Sequence, residues 1–290
     1  MIKIIFGIIN HPLNHRNRMR AFFRFISFQF ISRIYRYPIL LPFTSKTSYL
    51  CWNGLTGLTG NWYYGLMEME EMSFILHFLR EEDCFFDIGA NVGAYTILAS
   101  QHSMCEVHAF EPHPNTFRFL QRNIRIQENQ KSIFLHNFAL GSTEGVVSFT
   151  ANLDTVNHIA KSDELDVIDV DIKRLGILNY TKPTIIKIDV EGFEWNVLMG
   201  CQDLLIDSKL KGIIIELNGS GARYGFRDDS IDELLREYSF APFTYDPFQR
   251  KLIPLVSYTS HNTIYIRDLD FCIDRLKYSK EFRLASGVIL

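Results

Sequence analysis

Short apolar runs alternate with stretches of helical spacing through most of the chain. Cys84–Ile88, Cys105–Phe110, Ser132–Leu140, Thr184–Ile188 and Gly212–Leu217 are apolar enough to predict buried strands. Between them, Ala94–Ser100, Pro114–Ile126 and Glu194–Leu205 repeat apolar residues at helical intervals. In Pro114–Ile126 the residues Phe117, Leu120 and Ile124 share a face, and Pro114 suits a first turn. In Glu194–Leu205, Trp195, Leu198, Cys201 and Leu205 turn inward. Met69–Arg80 precedes the first strand as a helix, with Met72, Ile75, Leu76 and Leu79 on one side. Strands that alternate with helices and lack a polar face predict a mostly parallel sheet covered on both sides.

The pattern changes toward the end of the chain. Ser230-Ile231-Asp232-Glu233 reads as a capping box opening a helix. Pro242–Tyr245 and Leu252–Leu255 read as strands paired around Asp246–Pro247, and Thr263–Ile266 as a last strand. Val146–Thr150 reads as a hairpin arm after the turn at Gly141–Gly145, while Asp166–Leu175 only begins with strand-like alternation. The expected fold class is therefore α/β: a Rossmann-like, doubly wound sheet with an antiparallel C-terminal edge hairpin and an N-terminal extension. The expected division is 1–65 (basic, aromatic extension and glycine-rich loop), 66–270 (main domain) and 271–290 (tail).

The extension follows no single helical face. Arg20, Arg24 and Ser27 share one side, whereas Gln29, Ser32, Arg33 and Arg36 fall on the other, so the polar stripe swaps near Phe28. Packing on the main domain, on a second subunit (a homodimer) and on a membrane surface all remain open. Residues 53–62, with Gly54, Gly57 and Gly60, predict a loop: a plain turn or a mobile cover.

Composition narrows this picture. The 290 residues are 47% hydrophobic and 22% charged, as in a globular protein with a sizeable core. A net charge of −3 gives no reason to expect nucleic acid as a partner. Residues 1–40 hold seven Lys and Arg and no acidic residue, which suits an anionic surface. The longest uncharged run of Phe22–Leu41 is Phe25–Ser32, far short of the ~20 residues of a spanning helix. The five cysteines include no C-x-x-C pair, so neither a disulfide framework nor a zinc site is expected, and a reducing compartment is the default. The expected location is cytoplasmic, with the inner membrane surface open to peripheral contact through residues 1–50.

The chemistry centres on Asp87-Ile88-Gly89-Ala90-Asn91-Val92-Gly93, a strand running into a glycine turn and then a helix. That architecture presents backbone N–H groups to a ligand. The dinucleotide fingerprint would need glycine at position 91, which is Asn, and no P-loop is present. A carboxylate at the strand tip repels a pyrophosphate but suits an ammonium or a sulfonium, and S-adenosylmethionine carries both. Glu111 ends the next strand, where an acidic residue can accept hydrogen bonds from ribose hydroxyls.

These residues resemble the FkbM-type family of class I S-adenosylmethionine-dependent methyltransferases, which mostly methylate hydroxyl groups. The resemblance spans roughly Glu68 to Asp268. It rests on Phe86–Thr96, Phe110-Glu111-Pro112, Asn137–Gly141 and, most specifically, Ile186-Lys187-Ile188-Asp189-Val190-Glu191-Gly192-Phe193-Glu194. It implies an S-adenosylmethionine site at Asp87, Gly89, Asn91, Gly93, Glu111, Pro112, Asn137 and Ala139, with Glu68 reaching in. The implied acceptor is a hydroxyl-bearing small molecule or a glycan, including a glycolipid.

Methyl transfer is an in-line displacement, so orientation matters more than any one base. Lys187, Asp189 and Glu191 alternate with apolar residues and point one way if the strand persists. Asp189 is expected as the base or the acceptor-positioning group, with Glu191 second. Lys187 and Glu216 are expected to form a supporting ion pair. The competing reading of this segment is an ion-pair network that only shapes the helix entry. A divalent metal on Asp189 and Glu191 is chemically open but not expected, as no His joins them by spacing. Two other functions compete with a methyltransferase: an NAD-type oxidoreductase, and a non-catalytic module that docks to a membrane or partner.

Overall fold

The computed structural model describes residues 2–52, 57–153 and 156–290. The chain opens with α1 (Ile2–Asn10), α2 (Arg18–Ile34), β1 (Ile39–Pro42), β2 (Ser48–Cys51), α3 (Thr59–Tyr64) and α4 (Met69–Phe78). It continues through β3 (Cys84–Ile88), α5 (Ala94–His102), β4 (Glu106–Phe110), α6 (Pro114–Arg125) and β5 (Ile133–His136). Next come β6 (Ala139–Leu140), β7 (Gly145–Thr150), β8 (Val167–Lys173), β9 (Ile185–Ile188), α7 (Glu194–Met199), α8 (Gln202–Ile206) and β10 (Gly212–Glu216). The last elements are α9 (Asp228–Glu237), β11 (Ala241–Asp246), β12 (Lys251–Pro254), β13 (Asn262–Ile266) and α10 (Leu269–Lys277).

The main sheet has eight strands in the order β12-β11-β13-β10-β9-β3-β4-β5. The run from β10 to β5 is parallel, and β13, β11 and β12 join antiparallel. This is the expected doubly wound α/β sheet with its antiparallel edge hairpin. Its pleat divides the core in two. Phe85, Val107, Ala109, Ile185 and Ile214 face α4, α5 and the N-terminal segment. Phe86, Phe110, Ile186, Ile188, Ile213 and Ile215 face α7, α8 and α9. Both faces are dry, which is why these strands read as unbroken apolar runs.

The winding fixes where a ligand can sit. From β3 the chain moves outward to β4 and β5, then returns to lay β9 on the other side of β3. The crevice beyond the carboxyl ends of β3 and β9 is thus a topological switch point, where open α/β sheets bind ligands. Asp87 and Lys187 stand directly opposite one another across it.

Four expectations are corrected. Ser132–Leu140 is not one strand: β5 ends at His136, and β6 joins a separate sheet in the order β6-β8-β7. Asn137 makes the break by donating to the Glu111 and Pro112 carbonyls, both at 2.9 Å. Glu194–Leu205 is two helices, because Gly200 approaches the Gly141 carbonyl so closely that a Cβ would lie 2.0 Å from it. The helix expected from Ser230 begins at Asp228, and no side chain caps it. The Ser230 N–H bonds back to the Arg227 carbonyl. Finally, Thr59–Tyr64 of the expected glycine-rich loop is helical, anchored by the buried Leu58. Residues 53–56 lie outside the described residues.

The N-terminal segment shares the core of the sheet. Ala21, Phe25, Phe28 and Ser32 form the buried stripe of α2, and Phe25 and Phe28 meet Tyr63 edge-on at 5.1 and 5.9 Å. Phe25→Ala is expected to cost about 3–5 kcal/mol. Urea unfolding followed by tryptophan fluorescence and by circular dichroism should move together, because helix and sheet share one core.

Candidate functional site

Beyond the switch point lies a cavity of about 450 Å³, within the size range of small-molecule sites. The loop that follows β3 forms part of its lining. Asp87, at the end of β3, is buried and accepts a hydrogen bond from Thr96 Oγ1 at 2.6 Å. Burial pushes its carboxyl up, against the pull of Lys187 and the Thr96 hydroxyl. Gly89 has φ +80°, and a Cβ there would lie 1.8 Å from the Asp189 carbonyl oxygen. Only glycine lets the loop pack onto the β9 end. Asn91 also has positive φ, at 50°.

Glu111 ties this loop to the next strand. Its two carboxylate oxygens accept from the Asn91 N–H at 3.0 Å and the His113 N–H at 2.8 Å. Burial nevertheless raises its carboxyl to about 7, because those two bonds only partly offset desolvation. Pro112 and Ala139 line the cavity beside Phe138 and Phe149. Asn137 does not line it; its amide holds the carbonyls of Glu111 and Pro112 from behind.

The opposite wall is acidic. β9 ends at Ile188, so Glu191 does not continue the strand but turns through φ +56°. It still lines the cavity with Lys187, Asp189 and Glu216. Lys187 is buried and its partner is Asp189, with Nζ 2.6 Å from Oδ2. The expected Lys187–Glu216 pair is therefore corrected. Lys187 lies opposite Ile214, which leaves Glu216 one pleat beyond it, level with Asp189. Burial alone would depress the Lys187 ammonium, but Asp189, Glu68 and Asp87 hold it above the ordinary lysine value. Nζ also sits 4.8 Å from the centre of the Tyr95 ring, and the Tyr95 hydroxyl donates to Glu68.

Asp189, Glu191 and Glu216 bring one oxygen each within 4.8 Å of the others. Burial and repulsion from Asp189 raise Glu191 to about 7, against Arg223 and Lys187. Burial, Asp189 and Glu191 raise Glu216 to about 8. The trio has the oxygen chemistry of a hard-cation site, but Lys187 already neutralises one member. Glu194 is not in the cavity: it caps the turn below, accepting from the N–H groups of Val190 and Gly192, at 3.1 and 3.0 Å.

Taken together, the described residues of the cavity lining include six acidic side chains (Glu68, Asp87, Glu111, Asp189, Glu191 and Glu216) and one cationic side chain, Lys187. With Glu111, Glu191 and Glu216 raised to about 7 to 8, the lining gains negative charge as pH rises through that range, and it then suits a cation better than a diphosphate. The roof comes from Ile4, Thr59, Gly60, Asn61, Tyr63 and Tyr64; residues 59–61 belong to the stretch expected as a turn or a mobile cover, and the contribution of Ile4 was not expected. Asn61 is buried and its Oδ1 accepts from Met67 N–H at 2.8 Å, while its Nδ2 has no partner among the described residues. His113 caps α6, His158 bonds to Glu164 and the Val156 carbonyl, and His261 is exposed. None of them lines the cavity.

Residues 87–242 match the family model described as the methyltransferase FkbM domain. The hexuronic acid methyltransferase AglP of Haloferax volcanii is 28% identical over 175 residues, covering 59% of this chain and 68% of that protein. Methyltransferase 1 of Beauveria bassiana is 28% identical over 164 residues, covering 47% and 65%. A crystallised FkbM methyltransferase of Methylobacillus flagellatus aligns at 16% identity with a TM-score of 0.45, covering 65% of this chain. The chain spans about two thirds of the two curated relatives and 44% of that crystallised chain.

The buried acids make stability depend on pH. Glu71, beside the cavity on α4, is raised to about 8 by burial and by Glu68 and Glu70. A carboxyl raised in the folded state favours folding while it is protonated. That stability is complete below its unfolded value and is lost as pH rises through about 8. Glu71→Gln should therefore melt above the parent at pH 8, by about 2–4 °C per kcal/mol relieved, with the gap closing by pH 5. Calorimetry at the two pH values checks this.

Proposed function

We propose that this chain, which belongs to the FkbM methyltransferase family, uses S-adenosylmethionine to methylate a hydroxyl group of a sugar. The observation that carries the cofactor reading is the excess of acidic side chains around the cavity, six against one lysine among the described residues. A sulfonium with an adjacent ammonium is compensated there, whereas a nicotinamide dinucleotide would bring two phosphates against the same acids. Support for the acceptor class comes from a relative that is a hexuronic acid methyltransferase.

The cofactor fits residues already on the cavity wall. Glu111 keeps a free lone pair on each oxygen after accepting from Asn91 and His113, enough for two ribose hydroxyls. Pro112, Phe138 and Ala139 offer an apolar slot for the base, and residues 89–92 line the cavity, whereas Gly93, expected at the cofactor, does not line it and packs against Leu120 instead. Asp87 and Glu68 suit the cationic end. When bound, S-adenosylmethionine supplies an electrophilic methyl group on sulfur.

The chain's own residues then handle the acceptor. Asp189, fixed by Lys187 at 2.6 Å, accepts a hydrogen bond from the acceptor hydroxyl and orients its oxygen. As that oxygen bonds to the methyl carbon and the carbon–sulfur bond breaks, the hydroxyl proton passes to the carboxylate trio. Glu191 at about 7 and Glu216 at about 8 are matched to that task near neutral pH, a closer match than a base tied to a lysine.

Three outcomes are expected. Isothermal titration should register S-adenosylmethionine and not NAD; the reverse would move the chain to the oxidoreductase class. Asp189→Asn should lower turnover at least about tenfold while cofactor affinity is largely kept. Glu191→Gln removes a like charge from beside Glu216, so the acid limb of the turnover–pH profile should move to lower pH. Loss of all activity in Glu191→Gln would instead make Glu191 the indispensable base.

A further inference from the structure

Helix α2 is apolar on two opposite sides. Its inward stripe, Ala21, Phe25, Phe28 and Ser32, is buried in the core. On the other side Met19, Phe23, Ile26, Phe30 and Ile34 recur at steps of four, three, four and four, one continuous stripe along the helix. That stripe is bare: Met19 is 66% exposed, Phe23 58%, Phe30 68% and Ile34 60%. It runs about 22 Å at 1.5 Å per residue. Phe6 of α1 and Tyr35 and Tyr37, just past α2, are exposed as well. A soluble helix does not ordinarily turn this much aromatic surface to water.

Charge indicates what covers it. Helical positions place Arg20 on one flank of the bare stripe and Arg18 and Arg33 on the other. Arg16, Arg18, Arg20 and Arg36 are exposed and have no hydrogen-bond or ion-pair partner among the described residues. Arg24, by contrast, turns inward to Asn14 Oδ1 at 2.8 Å. The first acidic residue of the chain is Glu68, so nothing in this segment can neutralise those arginines. A second copy docked on the same face would set arginine flanks against arginine flanks, a like-charge cost with no carboxylate to offset it. Lipid headgroups of negative charge satisfy the flanks, and the acyl boundary takes the stripe. No helix among the described residues is long and apolar enough to cross a membrane, so α2 lies on the surface instead of spanning it.

We propose that the α1–α2 layer is a docking surface for an anionic lipid bilayer, with α2 in the interfacial plane. Because Ile4 of α1 lines the cavity and is half exposed, the same layer also borders the site. On the sugar-methylating reading given above, on which this step alone rests, the acceptor is then a sugar carried on a lipid.

The test uses the full chain and vesicles of phosphatidylcholine with or without 30% phosphatidylglycerol, taken as an order-of-magnitude anionic content. Co-sedimentation is expected with the anionic vesicles, with at least a tenfold weaker association in pure phosphatidylcholine or at high salt. The double variant F23E/F30E and, separately, R18E/R20E should each lose about tenfold in vesicle affinity while titrating with S-adenosylmethionine as the parent does. The arginine pair leaves every buried side chain in place, so it keeps the test valid if the glutamates at the stripe disturb folding. Equal binding to both vesicle types, no binding to either, or a dimer in solution that F23E/F30E dissociates would each overturn the proposal. Vesicle binding needs no methyl transfer, so it can stand if the sugar acceptor fails, and the sugar acceptor can stand without it.

Discussion

Lys187 carries a charge into the middle of a covered sheet, and its surroundings are arranged to make that tolerable. Asp189 meets the ammonium directly, Asp87 stands opposite on β3, and the Tyr95 ring and Glu68 close the remaining side. Removing one partner of such a pair leaves the other uncompensated in a poorly solvated place, a loss of several kcal/mol. The dependence runs both ways. Without Lys187, Asp87, Glu68 and the Asp189–Glu191–Glu216 trio would face one another with no counter-charge on the cavity wall. The crowding of acids on this wall rests on this one lysine.

The frame holding that charge was legible because both faces of the sheet are apolar. Cys84–Ile88 and Gly212–Glu216 are strands because their side chains fit a dry, pleated interior, and the sequence carries no competing pattern there. Failures occurred where a distant partner decides. Nothing local at Asn137 announces that its amide will hold the Glu111 and Pro112 carbonyls and end β5 early. Nor does a glycine at 200 announce the Gly141 carbonyl against it. The helix at Asp228 starts where the Asp228 carboxylate takes the Gly219 N–H, a contact the local capping pattern could not reveal.

The site was legible in its residues and less so in its pairing. Asp87, Gly89, Glu111, Asp189, Glu191 and Glu216 all reach one cavity, because strand ends at a switch point converge. Which acid meets Lys187 depended on the β9–β10 register, because Glu216 would stand opposite Lys187 only if β10 were shifted by two residues. The roof was anticipated only in part, through the stretch at 53–62 expected as a turn or a mobile cover. The share from α1 was hidden, because the positions of α1 and α3 are set by long-range packing of Leu13, Phe25 and Tyr63 and not by any motif.

The surplus of negative charge has a consequence for turnover. Under the proposed chemistry the cofactor arrives carrying a sulfonium and leaves as an uncharged thioether. The hydroxyl proton taken up by the Asp189–Glu191–Glu216 trio makes good that lost positive charge, so the net charge of the cavity and its contents is the same before and after transfer. Each cycle therefore leaves the acidic wall one proton richer, and the trio has to give that proton to solvent before it can accept another.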